Sequence, residues 1–299
     1  MSIAKCWTVM KKKTKWISII LLVLFGSALI RSVAENMTPA VGMVKVDGAI
    51  TEAMPCLDLI KEYRDNDRVK AVIVRINSPG GAVGPSQEIY RALLELNQVK
   101  PVIASLSSIG ASGAYYIACG TDMIYALPGT MVGSLGVVME FIDVSKALEK
   151  IGVRGRDITS GRFKDAGSPL REMTPADVAY FSDLVQDVYE QFIEMVSLQR
   201  GLSIEQVRAL ADGRVFTGRQ ALSLGLVDRL GGFDDALKEA KLRAGLKGEV
   251  RVLRPRDQSG WMESLKRLAD VSASAVGVYG GSFPRIEYML RSQTIWKEQ

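Results

Sequence analysis

From Val41 onward, short apolar runs alternate with stretches whose apolar residues recur at helical spacing. The runs Val41 to Val46, Ala71 to Ile76, Val102 to Leu106 and Met123 to Ala126 predict strands. The second of these is apolar enough to be covered on both faces, as strands of parallel sheets are. Between them, Met54 to Arg64 carries Leu57, Leu59, Ile60 and Tyr63 on or near one side, and Pro85 to Leu96 carries Ile89, Leu93 and Leu96 at helical spacing. A Gly-punctuated apolar stretch from Pro128 to Val137 reads as a turn leading into a strand. A helix around Val144 to Ile151 and a strand around Val153 to Thr159 follow.

The longest predicted helix opens at Thr174-Pro175 and runs to about Gln199. Pro175 suits its first position, Asp177 its first turn, and Gly201 its end. Ser203 with Gln206, and Thr217 with Gln220, have capping-box spacing and open two more helices, and Asp234 to Ala244 predicts another. Beyond about residue 255, Glu263 to Val271 has a helical pattern and Tyr279-Gly280-Gly281-Ser282 is turn-like. Strand–helix alternation of this kind predicts an α/β fold with a mostly parallel sheet and flanking helices.

Upstream of this domain the pattern is different. Trp16 to Ile30 is fifteen residues without a charge, followed by Arg31. That is short of the roughly 20 residues of a full span, but Trp16 at the edge and snorkelling by Lys15 and Arg31 extend it. Residues 16–34 are therefore expected to form one N-terminal transmembrane helix, and residues 1–15 a basic cytoplasmic tail. A cleaved signal peptide is the rival reading, because Ser32-Val33-Ala34 suits a small-residue cleavage site. Either way the main domain faces outward from the cell membrane.

The charge balance supports this division. Lys5, Lys11, Lys12, Lys13 and Lys15 lie in the first fifteen residues; without them, 33 of the 38 basic residues remain, matching the 33 acidic ones. The basic character is thus local to the tail, and no nucleic-acid-binding face is expected.

The chemistry centres on Ser108-Ile109-Gly110-Ala111-Ser112-Gly113-Ala114-Tyr115-Tyr116-Ile117-Ala118. A strand, a tight turn and a helix would hold Ser112 at a helix N-terminus, beside backbone amides able to stabilise an oxyanion. A Gly/Ser turn before a buried helix accounts for the same residues without chemistry. The chain has no histidine, which excludes a Ser-His-Asp triad and any imidazole ligand. Cys6, Cys56 and Cys119 are far apart, so no structural metal site is expected. A nucleophilic Ser112 would need a lysine or a carboxylate as its base.

Taken together, these motifs resemble the S49 serine peptidases, the signal peptide peptidase A family, in its short membrane-anchored form. The resemblance runs from about Val41 to Leu246. It rests on Ser78-Pro79-Gly80-Gly81, Ala111-Ser112-Gly113, Gly133-Ser134-Leu135-Gly136-Val137, Ser160-Gly161-Arg162-Phe163-Lys164-Asp165, Thr217-Gly218-Arg219-Gln220-Ala221 and Gly225-Leu226-Val227-Asp228. Ala114 is a departure, where the family often has a second glycine.

The resemblance implies a ClpP/crotonase-like fold for a peptidase domain over 40–246, with residues 247–299 as a C-terminal extension. It implies Ser112 as nucleophile, Lys164 as general base, Ser134 as the hydroxyl that holds the lysine amine, and the Gly81 and Gly113 amides as oxyanion donors, with no metal and no cofactor. A free lysine titrates near ~10.4 and a useful base nearer ~7–8, so an apolar surrounding is expected, with Phe163 compatible with it and the Asp165 side chain pointing away. The implied substrates are remnant signal peptides and similar apolar segments. The implied assembly is a homo-oligomer in which the dyad is shared between subunits. An acyl-CoA enzyme on the same fold and an inactive membrane scaffold are the rival readings.

Overall fold

The computed structural model describes residues 38–255 and 286–289. Strand β1 (Ala40–Asp47) is followed by helix α1 (Met54–Asp65), and β2 (Val69–Ser78) by the short β3 (Gly80–Ala82) and α2 (Val83–Asn97). Next come β4 (Val102–Ala111), α3 (Gly113–Ala118), β5 (Met123–Ala126), β6 (Met131–Gly133), β7 (Val138–Met139) and α4 (Ser145–Lys150). The long α5 (Pro175–Arg200) leads to α6 (Ile204–Leu210), β8 (Val215–Thr217), α7 (Gly218–Ser223), β9 (Arg229–Leu230), α8 (Phe233–Arg243) and β10 (Arg251–Leu253), and the last described strand is β11 (Ile286–Met289).

The main sheet has the order β10-β1-β2-β4-β5-β9, and every neighbouring pair in it is parallel. Alternate residues of β2 feed two different cores. Val72, Val74 and Ile76 pack with side chains of α1, α2, α3 and α5, whereas Ala71 and Ile73 pack with Val41, Ile103 and the Ala236–Ala240 face of α8. Layers on both faces explain why this strand is apolar at nearly every position.

Strand β4 changes partner along its length. Ile103 to Leu106 pairs with β5, whereas Ile109 to Ala111 pairs with β6, which in turn pairs antiparallel with β8. The polar handover at Ser107 and Ser108 is the point where the expected strand stopped at Leu106; the strand in fact continues to Ala111. Opposite the handover, the β2–β4 register shifts between Ile76 and Ser78. The carboxyl ends of β2, β4 and β6 thereby come together, where open parallel sheets place their ligand sites.

Helix termini follow the sequence signals. Thr174 with Asp177, Ser203 with Gln206, and Thr217 with Gln220 form reciprocal capping boxes. Gly201 ends α5 in the left-handed conformation at φ 64°, donating to the carbonyl of Ser197. The strand expected over Val153 to Thr159 does not form. Val153 and Ile158 are 49% and 95% exposed, and among the described residues no strand pairs with this stretch.

Strand β10 joins the edge of the main sheet against β1. Strand β11 lies antiparallel between β3 and β7 in a second, three-stranded sheet. Among the described residues no helix is long and apolar enough to cross a membrane. The expected anchor, residues 16–34, and the patterns at Glu263 to Val271 and Tyr279 to Ser282 lie outside the described residues.

Candidate active site

Ser112 follows the last residue of β4 and caps α3. Its backbone has φ 55° and ψ −121°, a combination that costs a non-glycine residue about 1–3 kcal/mol. Two hydrogen bonds hold it there. The Ser112 N–H donates to the carbonyl of Gly133 at 2.7 Å, and its own carbonyl accepts from the Tyr116 N–H at 2.9 Å. The helix that follows is anchored from below: the buried Tyr115 hydroxyl donates to the Leu226 carbonyl at 2.7 Å. The Ser112 Oγ is buried and has no hydrogen-bond partner among the described residues.

Gly80 packs against Gly113, the residue that follows Ser112. Gly80 has φ 102°, and a Cβ there would fall 2.0 Å from the Tyr288 carbonyl oxygen and 2.8 Å from the Gly113 nitrogen. Only glycine fits such a conformation in such a space. The Ser78 hydroxyl fixes the turn by accepting from the Gly80 N–H at 3.1 Å. Gly81 continues into β3, where its backbone packs on Ile50 so closely that a Cβ would lie 2.2 Å from the Ile50 carbonyl oxygen. Gly113 sits at the first position of α3, where an amide has no partner within its helix. A Cβ on Gly113 would meet the Ser86 Oγ at 2.6 Å and the Tyr288 Cβ at 3.1 Å.

Tyr288 is the surprise of the site. It pairs opposite Gly81 in the second sheet and is fully buried. Its ring stacks on Tyr116 (centroids 5.4 Å apart, 16° between planes) and packs on Phe192 at 4.6 Å, and its hydroxyl donates to the Val188 carbonyl at 3.3 Å. Burial pushes its phenol above the ordinary range. An isolated four-residue strand near the end of the chain has no periodicity that sequence reasoning can detect. The role of Ser86 behind Gly113 had no sequence signal either.

Ser134 follows β6 directly, is buried, and shares with Ser112 a positive φ, here 52°. Its N–H donates to the Arg214 carbonyl at 2.8 Å. The structure therefore brings Ser112, Gly113, Gly80 and Gly81 together, with Ser134 one residue beyond the Gly133 that Ser112 bonds. It does not bring Lys164 to them within one chain: Lys164 is exposed, and the Ser112 hydroxyl is unpartnered. The apolar surrounding expected from Phe163 is not formed either. That ring is 40% exposed and stacks on Tyr180. Asp165 turns to Arg171, whose guanidinium holds its carboxyl below the usual range.

Residues 95–247 match the profile of peptidase family S49. The chain belongs to this family, that of the signal peptide peptidase A proteins. The match extends from before β4 to just beyond α8, so it contains the Ser112, Ser134 and Lys164 segments, while Gly80 and Gly81 precede it. A Synechocystis sp. protein, slr0021, provisionally named a protease, is 43% identical over 208 residues, covering 69% of this chain and 75% of that protein. The chloroplastic serine protease SPPA of Arabidopsis thaliana is 34% identical over 220 residues, 73% of this chain and 32% of that protein. Protease 4 of Haemophilus influenzae is 33% identical over 218 residues, 69% of this chain and 35% of that protein. The chain thus spans three quarters of the first relative and about a third of the other two.

Proposed function

We propose that this S49 peptidase is a membrane-anchored serine endopeptidase in which Ser112 is the nucleophile and Lys164 the general base. Its substrates are remnant signal peptides and similar apolar segments. The observation that carries the reading is the Ser112 hydroxyl, which is buried, unpartnered and held on a strained backbone. Buried polar groups are ordinarily satisfied, and the exceptions call for a reason. A hydroxyl waiting for a proton acceptor supplies one.

The chemistry is acyl transfer. The Ser112 oxygen bonds the peptide carbonyl carbon as its proton passes to the neutral amine of Lys164. The Gly81 and Gly113 amides receive the oxyanion; a donor of this kind is worth about 100- to 1,000-fold in rate. The C–N bond then breaks, and Lys164 returns the proton to the leaving amine. Water, giving a proton to the same amine, attacks the acyl carbon; the bond from that carbon to the Ser112 Oγ breaks and Lys164 returns the proton to this oxygen. The Ser134 hydroxyl orients that amine. No step calls for a metal or a cofactor.

The amine comes from a neighbouring copy in a homo-oligomer. Lys164 lies in a segment with exposed Ile142, Ile151, Val153, Ile158 and Leu170. Apolar side chains at this density favour covering by protein. Self-association through them would surround Lys164 with apolar surface and carry it to the next copy's Ser112. An extended peptide suits the groove, since β11 already runs as a strand between Gly80–Ala82 and Val138–Met139. Residues 16–34 hold the catalytic domain, 40–246, on the outer side of the cell membrane near such peptides, with the 1–15 tail in the cytoplasm.

The test uses the full chain in detergent. A serine-directed phosphonate is expected to label the protein but not Ser112→Ala, and both Ser112→Ala and Lys164→Ala lose cleavage of an apolar peptide. Mixing the two inactive variants is expected to restore part of the turnover. Cleavage retained by either single variant would remove the reading.

A further inference from the structure

Residues 151–173 form neither helix nor strand, yet the stretch around Lys164 is tied down on both sides. Before Lys164, the Phe163 ring stacks on Tyr180 of α5, centroids 5.0 Å apart and planes within 20°. After it, the Asp165 carboxylate accepts two bonds from Arg171, from Nε at 2.8 Å and from Nη2 at 3.2 Å. Arg171 also donates through Nη1 to Asp177 of α5 at 2.6 Å. Asp177 is itself buried and locked, accepting from the Thr174 N–H at 2.9 Å within the capping box. Backbone bonds from Lys164 to Gly161 (3.1 Å) and from Ala166 to Phe163 (3.2 Å) close the turn between the two ties. Lys164, an exposed residue, lies between the two ties.

We infer that Arg171 is a positioning residue for Lys164, fastening the base-bearing turn to the first turn of α5 and keeping the neighbouring carboxylate away from the amine. The inference rests on Lys164 being the base. Two physical effects are combined. The planar fork takes both Asp165 oxygens and reaches a buried anchor, which fixes direction as well as distance. It also occupies the one carboxylate adjacent in sequence to Lys164. Left free, that carboxylate would pair with the ammonium and favour the charged form, which is useless as a base. The charged and titratable groups around the turn include Arg162, Asp165 and Asp157, which accepts from the Ser168 hydroxyl, on the segment itself, Arg171 and Glu172 after it, and Tyr180 and Asp177 on α5; Glu172 is paired with Lys146.

The experiment compares the full chain with Arg171→Ala, Asp165→Asn, Arg171→Ala/Asp165→Asn and Lys164→Ala, reading kcat, KM and the pH profile on one apolar peptide. Arg171→Ala is expected to lower kcat on the order of 10- to 100-fold, the scale of a misplaced catalytic group, with KM changed less than about twofold. The limb on which kcat/KM rises with pH is expected to move to higher pH. Asp165→Asn in the same chain moves that limb back while the rate stays low. Should Arg171→Ala fail to fold, Asp165→Asn alone serves: kcat falls and the limb stays put. In Arg171→Ala a normal kcat, a change confined to KM, or a rate loss with the limb unmoved overturns the inference, and so does a normal rate in folded Asp165→Asn. Turnover by Lys164→Ala removes the base assignment itself, whereas an inactive Lys164→Ala beside a normal Arg171→Ala removes only the clamp.

Discussion

Ser112 donates its backbone N–H to the carbonyl oxygen of Gly133, 2.7 Å away, across the paired ends of β4 and β6. That one bond couples two turns. Ser134 comes next in the chain, and these two serines are the non-glycine residues with positive φ among those described, at 55° and 52°. Strain at both places persists because the sheet beneath over-determines it.

The unpartnered hydroxyl makes Ser112→Ala separable in two measurements. Cleavage should fall to background. Thermal stability of the unassembled chain should rise, because there the substitution removes a buried, unsatisfied polar group and recovers part of a penalty of about 1–3 kcal/mol. A melting temperature lowered by the substitution would show that the hydroxyl has a partner after all.

Gly80→Ala should be damaging in a way that Gly48→Ala is not. Both positions have positive φ, 102° and 71°, but a Cβ at Gly48 meets nothing within 4 Å. Gly48→Ala should cost about 1–2 kcal/mol from conformation alone. At Gly80 the clash with the Tyr288 carbonyl and the Gly113 nitrogen adds about 1–3 kcal/mol of overpacking and moves the Gly113 amide. Urea denaturation and peptide cleavage together check this: equal losses in the two variants would contradict it.

Acid should loosen the start of α5. The Arg171 guanidinium and the Thr174 N–H hold the Asp177 carboxyl down at about 2. A carboxylate depressed on folding adds stability that is fully present above its unfolded value of about 4 and is lost as pH falls through the folded one. The difference in melting temperature between the wild type and Asp177→Asn should therefore be constant above about pH 5 and shrink toward pH 2. A difference independent of pH would mean that the carboxylate charge is not what matters.

Strand β11 lies where an extended peptide would pair with Gly80–Ala82, and its Tyr288 fills the space beside Gly113. A chain ended after residue 285 should lose about 3–5 kcal/mol of stability, because the buried Tyr288 ring no longer packs on Tyr116 and Phe192, and should bind short apolar peptides more tightly, seen as a lower KM. The same KM in both chains would show that substrates approach by another route.

Much of this fold could be read from residue pattern alone. Strands such as Ala71 to Ile76 announce themselves because both faces are covered, and Thr174, Ser203 and Thr217 mark helix starts through local hydrogen bonds that need no tertiary partner. The stretch Val153 to Thr159 misled for the complementary reason. Its β-branched residues fit a strand, but a strand also needs an edge, and an edge is a property of the whole fold. Within the site, Gly80 and Gly81 after β2 and Ser112 and Gly113 after β4 are local features of two turns, each legible in its own short stretch of sequence. Tyr288 is not, because nothing near it in sequence signals that it returns to Gly80 and Gly113 from the far end of the chain. The absence of a contact between Ser112 and Lys164 within the described chain has a similar cause: spacing along a sequence does not say where a side chain of an irregular segment will lie.

The partner change along β4 divides one ten-residue strand between two duties. Its first half is foundation, locked between β2 and β5 under layers on both faces. Its second half rests on β6 and hands the chain to Ser112. Residues such as Ile103 can therefore be exchanged among similar apolar side chains to tune robustness, while the far end, only a few residues away, keeps its chemistry.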